Sequence, residues 1–345
     1  MTSRPARPVR LRRETIALVT AMLAHTSVHR ARWVADLLGR ERAVTRSAID
    51  RPAVLEALHA LNLVAVSEDR IEPLARVDVV GRLLIASDLQ RLRRARDFVG
   101  GPGPASFLLA RHVRPHTRGR LLDLGCGSGI QGLLLADRRT EVVGIDVNPR
   151  AIAFARFNAG LNGRPRNRAE LGDFLAGSPD RRFDGRFDTV VANPPFVLAP
   201  QHELTYRDRP LDGDEVGART VEQVGRALAP GGRGYVLCNW IDRPDGWSRP
   251  VQAWVAGTGL DAAVLRFGTY EPEEYAAIWT RDLPNEHRAR ATATWAAGLR
   301  AEGIERIHVG IVAVARPWRG RGSRFRPAER VDAASWRGLE ALVTA

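Results

Sequence analysis

The order of elements predicts an α/β protein with a doubly wound, Rossmann-like sheet behind a small N-terminal helical domain, for which a winged-helix form is one option. Three observations carry this. An apolar strand over residues 120–124 runs into Gly125-Cys126-Gly127-Ser128-Gly129 and then a helical stretch over 130–136. Two further strand-like stretches end on acidic residues, Asp146 after 141–145 and Asp173 within Gly172-Asp173-Phe174. A third, closing on Val190-Val191-Ala192, stops abruptly at Asn193-Pro194-Pro195-Phe196. Strands alternating with helices, with ligand-type residues at the strand ends, are the pattern of a parallel sheet covered on both faces.

Length and composition suit that architecture. The 345 residues are enough for two domains, and 44% hydrophobic with 26% charged residues is the balance of a soluble globular chain. No apolar run reaches membrane-spanning length, so no membrane association is expected. The first 13 residues are rich in Arg and Pro but lack the apolar core of a signal peptide, and read as a disordered basic tail. Two cysteines, Cys126 and Cys238, supply neither a disulfide framework nor zinc spacing, and no metal is expected. A reducing cytoplasm is the expected location.

The formal charge of +13 is unevenly placed: residues 1–120 hold 22 arginines against 11 acidic residues, and the chain has no lysine. Such an asymmetry is the footprint of a domain that touches phosphate backbone, although a solvated arginine face gives the same count. Residues 14–98 are read as an N-terminal, substrate-recognising domain and 99–345 as the catalytic one. Within the first, helices are predicted over 14–26, 31–38 and 53–61, the last capped by Asp50, followed by strands over 63–66 and 70–74. The outward residues of the third helix (Glu56, His59, Asn62) are not basic, so a domain that only packs on its neighbour is the alternative. A strand is predicted over 76–89, then a basic run (91–96), a Gly/Pro-rich loop (100–104), and a helix over 107–113 with Ser106 as its cap. That loop is placed either over a cofactor or as a linker.

The glycines of 125–129 allow close backbone approach to a ligand, and Gly127 to Gly132 fits G-x-G-x-x-G, so a nicotinamide or flavin enzyme must be weighed. Asp123 argues against it: a carboxylate there repels a pyrophosphate but holds, directly or through water, the ammonium of a methionine moiety. Asp146 is placed to accept from both ribose hydroxyls. In Asn193-Pro194-Pro195-Phe196 the prolines fix two φ angles and remove two donors, so two carbonyls and the Asn193 amide oxygen converge as acceptors beside a flat ring. That set fits a planar –NH2 group.

Asp-Leu-Gly-Cys-Gly-Ser-Gly resembles the cofactor loop of class I methyltransferases. Asn-Pro-Pro-Phe resembles the target-site motif of the S-adenosylmethionine-dependent amino-group methyltransferases, the small-domain enzymes that include ribosomal RNA adenine or guanine and release-factor glutamine methyltransferases. The resemblance implies S-adenosylmethionine as cofactor, held by Asp123, Gly125, Cys126, Gly127, Gly129, Asp146 and Val147. It also implies that Asp173 accepts from the adenine amino group while Phe174 borders the ring. Asn193, Pro194, Pro195 and Phe196 then form the catalytic motif, with Asn193 also near the cofactor.

Beyond the motif, residues 202–214 form a long polar loop expected to close over the target, with Tyr206 and Arg207 orienting it. A helix over 216–228, a Pro230-Gly231-Gly232 turn, a strand over 234–239, then helix, strand, helix, helix and strand over 251–256, 262–267, 273–280, 286–302 and 306–315 complete the chain. Trp240 and its fellow tryptophans are assigned to the core. Residues 317–326 mix basic and aromatic types and are either a phosphate-tracking segment or an exposed connection. The expected function is methyl transfer to an exocyclic amino nitrogen of a nucleobase in RNA. The alternatives are a protein glutamine, a small metabolite, or a non-enzymatic cofactor-binding nucleic-acid module.

Overall fold

The computed structural model describes residues 32–114, 119–176, 181–199, 208–209, 215–281, 283–320 and 324–329. The expected basic tail and first helix, and the loop residues Tyr206 and Arg207, lie outside these.

The N-terminal unit is helix, strand, helix and hairpin. Its first helix, α1, runs through Arg32–Val34 and continues as a π-turn over Ala35–Gly39. Strand β1 (Val44–Thr45), helix α2 (Pro52–Ala60), β2 (Val64–Val66) and β3 (Arg70–Pro73) follow, the strands ordered β1-β3-β2. Leu37, Leu38, Leu58, Val64 and Ile71 are buried together, because the apolar residues of each element fall on one face. Asp50 is not the cap expected of it: Arg51 holds that position and Pro52 opens the helix, while Asp50 accepts from the Trp33 indole at 2.7 Å. The single strand expected over 76–89 is a hairpin, β4 (Arg76–Val80) and β5 (Leu83–Ser87), because Gly81 turns the chain at φ +59°.

The larger unit is one eight-stranded sheet. Helix α3 (Pro104–His112) precedes β6 (Arg120–Leu124), α4 (Ile130–Leu135), β7 (Glu141–Asp146), α5 (Pro149–Leu161), β8 (Asn167–Leu171) and β9 (Phe187–Ala192). After the short β10 (Val197–Leu198) and β11 (Asp208–Arg209) come α6 (Glu215–Ala227), β12 (Leu228–Ile241), α7 (Arg249–Val255), β13 (Asp261–Tyr270), α8 (Pro272–Thr280), α9 (Asn285–Ala301), β14 (Ile307–Ala315) and β15 (Phe325–Glu329). The strand order is β15-β13-β14-β12-β9-β6-β7-β8. Strands β8, β7, β6, β9 and β12 are parallel, and β14 runs antiparallel between β12 and β13. Runs such as Val142-Val143 and Val190-Val191-Ala192 are buried on both faces, as a helix-covered parallel sheet requires.

Two expectations change here. Ser106 does not cap α3; Gly103 does, with Pro104 at the first position, and the Ser106 carbonyl instead accepts from the Gln131 side chain at 3.0 Å. Pro230-Gly231-Gly232 is not a separate turn but an irregularity within β12, where the register against β9 shifts between Leu228 and Arg233. The basic–aromatic stretch is exposed at 318–320, with Trp318 79% exposed, which fits the exposed-connection alternative, and it is fastened beyond: Phe325–Glu329 forms an edge strand on β13 and Arg324 pairs with the buried Asp261 at 2.6 Å. Trp240 is buried, as expected, with its indole bonded to the Trp247 carbonyl.

Helix α5 joins the two units. Ala151, Ile152, Ala155 and Ala159 are buried, whereas Phe154, Phe157 and Leu161 pack into the N-terminal core. Asn158 and Asn162 present their side-chain amides to the edge of β5 as a neighbouring strand would. Asn158 accepts from the Ala86 N–H (2.8 Å) and donates to the Ala86 carbonyl (2.9 Å); Asn162 does the same for Leu84 (2.9 and 2.8 Å). Two asparagines four apart on one helix face thus satisfy an otherwise open sheet edge.

Candidate active site

The sheet reverses direction between β6 and β9: from β6 the chain winds outward through β7 and β8, then returns to β9 and winds the other way. Ligands bind in the crevice such a switch point leaves at the carboxyl ends of the strands. The register pairs Leu124 with Ala192, so Gly125 and Asn193 are the next residues on either side of that crevice. Gly125 sits at φ +72°, and a Cβ added there would lie 3.6 Å from the Phe174 ring and 4.0 Å from the Pro194 Cα. Folding therefore converges the glycine loop, the end of the third strand and the proline motif, which the sequence separates by tens of residues.

The two acids of the loop play unlike parts. Asp146 is half-exposed and accepts from the Gly127 N–H and the Asn148 N–H, both at 2.9 Å. Burial pushes its pKa up against the opposing effect of these donors. These two donors fall on different oxygens, which leaves lone pairs for a diol. Asp123, by contrast, is 1% exposed, beneath the loop. Its Oδ2 accepts from the Gly132 N–H at 3.4 Å, its Oδ1 has no partner among the described residues, and desolvation raises its pKa to about 7. The direct ammonium contact expected of Asp123 is thus not what the fold offers, because the carboxylate is enclosed. Cys126 needs the same correction. Its side chain is buried against Gly144 among Ile152, Ala155 and Ala169, with its thiol pKa raised by burial, and its N–H is taken by the Ile145 carbonyl. Gly129 caps α4 at φ +79°, where a Cβ would press on Ala155 at 3.2 Å.

Asp173 is exposed, its Oδ1 accepting from the Leu175 N–H at 2.9 Å, and Phe174 is half-buried. Val147 (55% exposed) and Leu171 (58%) leave apolar surface at the ends of β7 and β8. Leu171 was not singled out from the sequence; its signal was its place directly before Gly172-Asp173. A plane of apolar atoms beside two acids suits an aromatic heterocycle carrying a diol and an amino group.

The motif itself is anchored from behind. Pro194 is buried and Asn193, Pro195 and Phe196 are half-buried, with Phe196 packed among three clusters of the core. Among the described residues, neither the Asn193 side-chain amide nor the Pro194 carbonyl has a hydrogen-bond partner. Two residues on, the Leu198 N–H donates to the Tyr275 hydroxyl (3.0 Å) and the Leu198 carbonyl accepts from the Trp295 indole (2.9 Å). Tyr275 also accepts from the Asn239 amide at 2.6 Å. Helices α8 and α9 thereby hold the strand that leaves the motif, a role invisible in the sequence because its partners are 77 and 97 residues away.

Residues 100–240 match the methyltransferase small domain. Over that stretch the chain is similar to the small-domain methyltransferases. A ribosomal protein L11 methyltransferase from Janthinobacterium sp. (strain Marseille) is 32% identical over 209 residues, 55% of this chain and 64% of that protein. A ribosomal RNA small subunit methyltransferase C from Idiomarina loihiensis is 38% identical over 93 residues, 27% of this chain and 26% of that protein. The chain thus spans from about a quarter to just under two thirds of the length of these relatives. A solved geranyl diphosphate C-methyltransferase from Streptomyces coelicolor A3(2) aligns with 61% of this chain and 76% of that chain at 15% identity and a TM-score of 0.39. S-adenosylmethionine is the cofactor of such methyltransferases, and the exposed groups here are of a kind to fit it: Asp146 would take the ribose diol, Val147, Leu171 and Phe174 the adenine faces, and Asp173 the adenine amino group.

Proposed function

We propose that the chain is an S-adenosylmethionine-dependent N-methyltransferase acting on a planar exocyclic amino group of a nucleobase in RNA. The observation that carries this is the pairing of Leu124 with Ala192, which sets Gly125 across the switch point from an Asn193-Pro194 unit whose acceptors are unengaged among the described residues. The cofactor, when bound, supplies an electrophilic methyl group. The chain's own residues do the rest. Asn193 Oδ1 and the Pro194 carbonyl accept the two N–H bonds of the target, turning its lone pair toward the cofactor side of the crevice. Phe196 packs the plane, and Tyr275 and Trp295 keep the motif in place through Leu198. Asp123 acts through the loop it underlies rather than by contact. Tyr206 and Arg207 remain proposed substrate-loop residues.

A second reading, methylation of a protein side chain, is supported by the longer stretch of likeness to an L11 methyltransferase. The test is transfer of labelled methyl into a fractionated extract, followed by digestion. RNase-sensitive label supports the RNA reading, protease-sensitive label replaces it with the protein one, and no label despite cofactor binding leaves a binding module.

A further inference from the structure

The basic run over 91–96 belongs to a closed loop. Asp88 and Val99 seal its neck: the Asp88 N–H donates to the Val99 carbonyl at 3.0 Å and the Val99 N–H to Asp88 Oδ2 at 2.8 Å. Asp88, 1% exposed, also takes a two-pronged ion pair from Arg150 in the first turn of α5. Glu41 accepts the Gln90 N–H with both oxygens (2.9 and 2.8 Å). On the far side, the Asn148 side chain donates to the Asp97 carbonyl at 2.9 Å while its N–H bonds Asp146. One residue therefore links this loop to the ribose-facing acid.

The loop turns its apolar residues inward, with Leu89, Phe98 and Val99 buried. Arg91, Arg94 and Arg96 are exposed and Arg93 half-buried. Among the described residues Arg91 and Arg94 carry no ion pair. A short loop packed on its own side chains and fastened at both ends is a preformed surface. Its outer face offers guanidinium forks, which match phosphate oxygens, and none of the large apolar side chains that anchor a protein partner.

We infer that the 88–99 loop docks the phosphate backbone of the RNA substrate beside the cofactor end of the crevice. This rests on the RNA reading above. The full-length protein is titrated with a fluorescein-labelled, 12-nucleotide single-stranded RNA of mixed sequence at several salt concentrations. Each lost phosphate contact flattens the dependence of log K on log salt by about 0.7, so R91Q/R94Q lowers the slope by about 1.4. R91K/R94K restores it, and R138Q/R139Q, at the opposite ends of the strands, leaves it unchanged. Calorimetric affinity for S-adenosylhomocysteine stays within twofold in all variants. An R91Q/R94Q slope equal to that of the unmodified protein overturns the docking loop while the RNA reading stands. No binding by the unmodified protein at low salt removes both. Polyglutamate binding more tightly than RNA assigns the loop to an acidic protein partner and overturns the phosphate assignment.

Discussion

Replacing Asp123 with Asn isolates one buried charge. The carboxyl is enclosed and its pKa rises from 3.8 to about 7 because burial disfavours the anion, against a single N–H donor from Gly132. The folded protein thus keeps this proton to higher pH than the unfolded chain, so the contribution of this group to stability is full below pH 4 and is lost as pH rises toward 7. The full span corresponds to about 4 kcal/mol, more than half of which falls between pH 5 and pH 8. Asn has the same shape, keeps an oxygen for Gly132, and turns an amide toward the small cavity that Asn167 also lines, where the Asn167 Oδ1 has no partner among the described residues. Urea unfolding of both proteins at pH 5, 6, 7 and 8, followed by tryptophan fluorescence, measures the difference. Asp123→Asn gains on the unmodified protein by about 2 to 3 kcal/mol across that range, while groups common to both cancel. Parallel stability curves would refute the assignment of a protonated, enclosed carboxyl.

Asn193→Ala lowers methyl transfer by about 100-fold or more, as loss of a preorganised polar group at the reacting centre does, with cofactor affinity by calorimetry within twofold. Asp146→Ala weakens S-adenosylmethionine binding by about 10- to 100-fold, the worth of hydrogen bonds to a charged acceptor, and unchanged affinity would move the ribose elsewhere. Asn158→Ala leaves the Ala86 N–H and the Ala86 and Ser128 carbonyls short of a partner, so chemical denaturation reads a loss of about 3 kcal/mol. Tyr275→Phe removes the acceptor for Leu198 and lowers turnover while cofactor affinity holds, because it acts only on the strand leaving the motif.

The strands, the glycine loop, the acids at strand ends and the proline motif were legible because each depends on short-range pattern. A buried parallel strand must be apolar throughout, a tight loop needs glycine at positive φ, and Pro-Pro ends a ladder wherever it falls. The hairpin over 76–87 was misread as one strand because its turn carries only Gly81 among apolar neighbours. Asp50 and Ser106 were misassigned for a different reason. Local sequence names a residue's options, whereas Trp33 and Gln131 chose among them from 17 and 25 residues away. The sequence by itself determined the alternation of strands and helices and which residues stand at the strand ends. Only the tertiary structure decided that Asp123 and Cys126 lie beneath the loop, that Asn158 and Asn162 join the two units, and that α8 and α9 hold the motif. Those outcomes depend on which groups meet once burial has removed water as the competing partner.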